Sequence, residues 1–336
     1  MGMVASVEDY SAAIVIPGMV QAPELKGGHP VERNGRLLRY VGGFCVVYPY
    51  QTARRKYAVR CWHTPVRSVQ DNLETILAAI RKSELHYFVP CNYVQKAIMT
   101  AKGSQPAVVM DWIEAQTMKR YIEENLDRPL VLEALAKEFL RMTSSLHKAG
   151  ISHGDLQHGN ILVGNDGSLT LVDYDSMYVP GMQEVPDEIK GLAGYQHPAR
   201  CQQQFRSAVS DYFSELIIYT SIRTLAKHPG LWRKHNLGET ETMLFAEADI
   251  QSGGTSGIFL LIESDRELRH LGRAIKDALR QPTLDRIVPL EDIVSGQSNS
   301  VVESVSKRWQ AYTYQPSPLQ SNIDIFNQLA EIASRW

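Results

Sequence analysis

Cysteine is scarce, with four residues among 336, and Cys45, Cys61, Cys91 and Cys201 show no C-x-x-C spacing. That argues against a zinc site and fits free thiols in a reducing cytosol. Charge of one sign is also lacking: the formal net charge is −2, which gives no electrostatic reason to expect nucleic acid or an anionic membrane as partner. The local run Arg54-Arg55-Lys56 reads as a solvated turn. Long apolar runs are missing too. The first 30 residues hold acids, prolines and only a short apolar run from Ala12 to Ile16, so neither a signal peptide nor a membrane span is expected. A cytoplasmic location follows as the expectation. No internal repeat is visible.

What is present is ordinary globular material. With 44% hydrophobic and 21% charged residues, the chain can bury a full core, as one large two-lobed domain or two small ones. From Leu37 to Ile113, short apolar runs alternate with turn residues, which predicts strands. One helical stretch interrupts them over Ser68–Leu85, where Val69, Leu73, Ile76, Leu77 and Ile80 form a single apolar stripe with Glu74 off it. Beyond Ile113 the pattern turns helical. Leu132, Leu135, Phe139, Met142 and Leu146 make a second stripe that Gly150 ends. Asp166-Gly167, between Ile161-Leu162-Val163 and Leu169-Thr170-Leu171-Val172, predicts a hairpin with a two-residue turn. Leu216 to Tyr219 and Leu268 to Leu279 predict further buried helices. Ser295 to Ser300 reads as a polar linker, followed by an amphipathic helix carrying Ile325, Phe326, Leu329, Ile332, Ala333 and Trp336.

The chemistry concentrates in His153-Gly154-Asp155-Leu156-Gln157-His158-Gly159-Asn160-Ile161-Leu162-Val163, with Leu171-Val172-Asp173-Tyr174-Asp175 after it. This spacing suits nucleotide phosphoryl transfer. Asp155 would take the proton of an attacking hydroxyl, while Asn160 and Asp173, delivered by the hairpin, would hold Mg²⁺ against phosphates. His153 would brace the loop. Asp211, at a predicted helix start, would either accept N–H groups of that loop or cap its own helix. His158 reads as a surface or supporting histidine rather than a metal ligand.

These segments resemble the catalytic loop (H-R-D-x-x-x-x-N) and magnesium loop (D-F-G) of the protein-kinase fold. Other segments resemble that fold's remaining motifs, in the same order. Val41-Gly42-Gly43-Phe44-Cys45 resembles a degraded glycine-rich loop, Tyr57-Ala58-Val59-Arg60 the V-A-I-K strand, and Val108 to Ile113 the strand entering a hinge. Gly194 to Arg200 stands where A-P-E closes an activation segment, and Ser210-Asp211-Tyr212-Phe213-Ser214 resembles the D-x-x-S helix start. The resemblance implies an α+β, bilobal protein-kinase-like fold, with a small β-rich N-lobe carrying one helix and a larger, mainly helical C-lobe. It divides the chain into an extension (1–32), N-lobe and hinge (33–113), C-lobe (114–294) and linker with terminal helix (295–336). It also implies ATP and Mg²⁺. Gly42, Gly43, Arg60, Met110, Asp111 and Ile113 would line the nucleotide, Asn160 and Asp173 would bind the metal, and Asp155 would be catalytic, with Arg60 paired to Glu74.

The departures matter as much. Arg60 stands in place of lysine, and its planar fork presents donors differently. Gln157 removes a second cation. Tyr40 and Cys45 replace flanking glycines of the glycine-rich loop, Gly154 replaces an arginine that reads loop phosphorylation, and Asp175 replaces the glycine of D-F-G. The loop His-Gly-Asp-Leu is similar as well to that of aminoglycoside and choline kinases. Three readings therefore stand: a protein kinase acting on a protein hydroxyl, a pseudokinase that docks partners, and a small-molecule kinase. Tyr174, Ser176 and Tyr178 are possible phosphoacceptors, with unmodified hydroxyls the ordinary expectation.

Overall fold

The computed structural model describes residues 4–64 and 67–296. Its N-terminal part opens with α1 (Val7–Ile14), started by a Ser6–Asp9 capping box in which each side chain takes the other residue's N–H. Then come β1 (His29–Pro30), β2 (Glu32–Arg33), β3 (Arg36–Leu37), β4 (Tyr40–Val41), β5 (Cys45–Gln51) and β6 (Lys56–Trp62). Helix α2 (Arg67–Ser83) precedes the long hairpin of β7 (Cys91–Thr100) and β8 (Gly103–Asp111). The main sheet runs β1-β5-β6-β8-β7, with β4 also paired to β5, and each of its pairings is antiparallel.

Alternation along the strands splits the sheet's side chains between two cores. Val59, Cys61, Ala107 and Val109 face one way and share a core with Ala5, Tyr10, Ala13, Ile14, Ala22 and Leu25. Trp62, Val108 and Met110 face the other way and join Leu73, Ile76, Leu77 and Ile80 of α2. The α2 stripe is thus buried as its spacing predicts, save for Val69, whose side chain lies outside the described residues. Residues 4–30, expected as an extension, contribute α1 and β1 to this same layer.

The remainder is mainly helical. After β9 (Ala115–Thr117) come α3 (Met118–Glu124) and α4 (Pro129–Ala149), whose five predicted core residues are all buried and whose end is fixed by Gly150 at φ 66°. The hairpin β10 (Ile161–Gly164) and β11 (Leu169–Leu171) pairs Ile161 with Leu171, and β9 adds the third strand. Its turn is longer than expected. Gly164 N–H meets Ser168 O at 2.9 Å, so three residues make the loop and Gly167, at φ 81°, takes its left-handed position. Helices α5 (Tyr212–Lys227), α6 (Gly230–Lys234), α7 (Glu247–Gln251), α8 (Gly257–Ser264), α9 (Arg269–Leu279) and α10 (Leu290–Ser295) complete the described part. The molecule is mixed α/β, with a curled sheet first and helices later, compatible with a bilobal arrangement. The terminal helix expected around Ile325–Trp336 lies outside the described residues, as does the linker beyond Gly296.

Helix α5 is buried almost all round, and its Glu215 serves another segment. Glu215 contacts His147 of α4 at 2.9 Å, and Glu291 of α10 meets the other ring nitrogen at 2.9 Å. Burial would lower the His147 pKa, but the Glu215 charge and hydrogen bonds to both carboxylates raise it to about 10. The Glu215 carboxyl is itself pushed up by its burial.

Candidate functional site

A cavity of about 650 Å³ opens between the sheet and the β9–β10–β11 layer. Its wall includes Gly42, Ala58, Arg60, Met110, Asp111, Trp112, Ile113, Asn160, Leu162 and Asp173. The volume lies within the usual range for small-molecule sites, and its wall is largely apolar with a few polar groups at one end.

The hairpin explains the polar end. Pairing of Ile161 with Leu171 sets Asn160 opposite Val172, and Val172 N–H donates to Asn160 O at 3.0 Å. Asp173 follows directly, at φ 69° and ψ 74°. A non-glycine residue in the left-handed region costs on the order of 1–3 kcal/mol and persists where the surroundings hold it. Here the result is an Asp173 side chain 41% exposed toward the cavity.

The Asp155 loop is held from below. Asp211 accepts N–H groups from His153 and from Gly154, the latter at 2.9 Å, and makes no cap to its own helix. The His153 ring meets Val172 O through Nε2 at 2.9 Å. Asn160 Nδ2 donates to the Asp155 carbonyl at 2.8 Å and to its carboxylate at 3.2 Å, which leaves the amide oxygen of Asn160 for a cation. Asp155 Oδ1 also accepts Leu192 N–H at 3.2 Å. Burial raises the Asp155 pKa, with His153 opposing and Asp173 adding to the rise.

Gly154 has φ 78°, and a Cβ there would stand 2.2 Å from Ser176 O. The position expected to carry an arginine in the resemblance is thus closed to side chains. Arg200 fills the neighbouring space instead. Its guanidinium donates to Gly154 O at 3.0 Å and pairs with buried Asp187 at 2.8 Å. Gln157 folds inward, accepting Gly159 N–H at 2.7 Å. His158 Nδ1 and Tyr195 Oη share a hydrogen bond at 2.7 Å, and burial followed by Lys119 lowers the His158 pKa to about 4. Among the described residues, no cluster of three or more His, Cys, Asp or Glu is arranged to hold a metal. Tyr174, Ser176 and Tyr178 are all buried, which withdraws them as exposed hydroxyls.

One expected pair is not formed. Glu74 sits on the exposed face of α2, and no ion pair joins it to Arg60 among the described residues. Arg60, 5% exposed, forks onto Asp175 instead: Nη1 to Oδ1 and Nη2 to Oδ2, both at 2.6 Å, with Nη2 also reaching Asp173 Oδ1 at 2.8 Å. Asp111, placed on the cavity wall, pairs with Arg55 at 3.4 Å. Gly42 and Gly43 occupy the β4–β5 connection, where neither has a positive φ and Gly43 is not part of the cavity wall. The sequence reading missed Asp175 as a partner. The signal was there: Arg60 and Asp175 were both departures from one motif set, with opposite charges.

A sheet part, a helical part and a carboxylate–amide–carboxylate set beside the cavity between them are compatible with a kinase-like molecule. The comparisons with known proteins agree at that level. The chain is 26% identical over 125 residues to the serine/threonine-protein kinase PknL of Mycobacterium tuberculosis and of Mycobacterium bovis, covering 36% of this chain and 31% of those proteins. It is 33% identical over 73 residues to the probable serine/threonine-protein kinase PknB of Lactococcus lactis, covering 21% of this chain and 12% of that protein. The matched stretch spans about a third of the PknL proteins and less of PknB. No family model matches the chain. Similarity of this extent supports a relation to the kinase-like superfamily and reaches no finer. No helix among the described residues is long and apolar enough to cross a membrane.

Proposed function

We propose that the protein is a divergent protein-kinase-like phosphotransferase that takes ATP with Mg²⁺ in the 650 Å³ cavity and transfers the γ-phosphate to a protein hydroxyl. The observation that carries this reading is the convergence of three groups. Asn160 and Asp173 line the polar end of the cavity, and Asp155 is hydrogen-bonded to Asn160 at 3.2 Å. Two hard oxygen donors suit Mg²⁺, which commonly completes its octahedron with water and phosphate oxygens. When bound, the metal would neutralise phosphate charge. The chain's own groups do the positioning. Arg60 presents positive charge at the cavity wall, Met110 to Ile113 flank the adenine, and Asp155, with its raised pKa, would accept the acceptor's proton. In this reading 33–113 and 114–294 are the two lobes, and the site is cytoplasmic.

The second reading, a pseudokinase that docks a partner, draws on Gln157. Its amide is engaged with Gly159 rather than turned to the cavity, so one cation that transfer would use is missing. Thermal shift with ATP, with and without Mg²⁺, followed by transfer of radiolabelled phosphate to the protein itself and to generic substrates, separates the two. Magnesium-dependent stabilisation with transfer is expected; stabilisation without transfer selects the pseudokinase. Asp173→Asn should abolish the magnesium-dependent part of the shift, and an unchanged shift would put the metal elsewhere.

A further inference from the structure

We propose that Asp175 is a positioning residue that fixes Arg60 at the phosphate end of the cavity, doing from the loop after Asp173 what a helix glutamate would otherwise do. This deepens the ATP–Mg²⁺ reading and rests on it. The forked pair is buried on both sides: the Arg60 side chain is 6% exposed and that of Asp175 is 5%. Asp175 is itself oriented, since Trp62 Nε1–H donates to its Oδ2 at 3.2 Å while the Trp62 ring lies 5.2 Å from the guanidinium. Planar guanidinium and carboxylate match in two parallel hydrogen bonds, a geometry lysine cannot offer. The two departures from the kinase pattern, arginine for lysine and aspartate for glycine, therefore compensate each other.

The arrangement divides labour between two carboxylates. Asp175 takes both arms of the fork, so only Nη2 also touches Asp173, at 2.8 Å. Asp173 keeps an exposed side chain for a cation. Without Asp175, the guanidinium would be free to take both oxygens of Asp173 and so compete with the metal. Helix α2 is spared this duty, because Glu74 is exposed and forms no ion pair with Arg60 among the described residues.

The test is isothermal titration of the full chain with ATP, once with MgCl₂ and once with EDTA, for wild type, Asp175→Asn, Arg60→Gln, the double variant and Glu74→Gln. Asp175→Asn is expected to weaken binding at least tenfold in Mg²⁺ while changing it less than threefold in EDTA. General damage would lower both alike. Glu74→Gln should leave both within twofold. The double variant should bind no worse than Arg60→Gln, because Asp175 acts only through Arg60; it leaves no unpaired buried charge, and Glu74→Gln, at an exposed site, keeps the test decisive where a single variant of the pair fails to fold. Equal losses in Mg²⁺ and EDTA, additive effects in the double variant, or a tenfold loss with Glu74→Gln would overturn the positioning role with the nucleotide reading intact. Absence of ATP binding by the wild type would overturn that reading and the role together.

Discussion

Gly154→Ala is the sharpest test of how the loop before Asp155 is built. Two costs add there. The backbone sits at φ 78°, a conformation that costs an L-residue roughly 1–2 kcal/mol. The new Cβ would also stand 2.2 Å from Ser176 O and 2.9 Å from Ser176 C, both backbone atoms that cannot swing aside. Overpacking of that kind costs about 1–3 kcal/mol, giving ~2–5 kcal/mol in all. Gly35 supplies the control. It has φ 70° with nothing within 4 Å of a built Cβ, so Gly35→Ala should show the conformational part alone, about 1–2 kcal/mol. Urea unfolding of both variants against wild type gives the two values. If Gly154→Ala costs no more than Gly35→Ala, the close approach of Ser176 to the loop before Asp155 is wrong, and so is the explanation of why no arginine stands at that position.

Two more outcomes follow from buried charge. His147 has a folded-state pKa of about 10 against an ordinary value of 6.5, so its contribution is complete below about 6.5 and fades as pH rises through about 10. Denaturant stability should therefore fall more between pH 7 and pH 10 in wild type than in His147→Gln, and parallel profiles would refute the paired imidazolium. The Asp187–Arg200 pair is 1% exposed on both sides, and breaking such a pair from one side costs on the order of 3–5 kcal/mol. Asp187→Ala should show that loss in urea unfolding, whereas a loss below about 1 kcal/mol would class it with surface pairs.

Much of this was legible in the sequence because the chemistry is local. Asp155, Asn160 and Asp173 sit on one loop and the hairpin that follows it, and the apolar stripes of α2 and α4 have plain helical spacing. The turn length was not legible. Whether Asp166-Gly167 makes a two- or three-residue loop depends on which residue takes positive φ, and Gly167 takes it with Gly164 closing onto Ser168. The layer formed by α1 was hidden for a different reason: an eight-residue helix with a short apolar run gives little periodicity, and its burial depends on strands up to about 100 residues away. The resemblance implies Glu74 as the partner of Arg60, whereas the opposite charges at Arg60 and Asp175, both departures from the kinase pattern, point to the pair that forms. Asn34-Gly35 joins β2 to β3 with both residues at positive φ, the turn that this dipeptide favours.

The layer carrying α1 makes the back of the sheet a route rather than a blank wall. Tyr10 Oη donates to Trp62 O at 3.1 Å, and the indole of Trp62 in turn steadies Asp175. The Arg60 guanidinium on the cavity wall is thus linked to α1 through Trp62 and Asp175, by contacts that do not pass through α2. A disturbance of this rear helix would therefore reach the cavity wall from the opposite side of the strands.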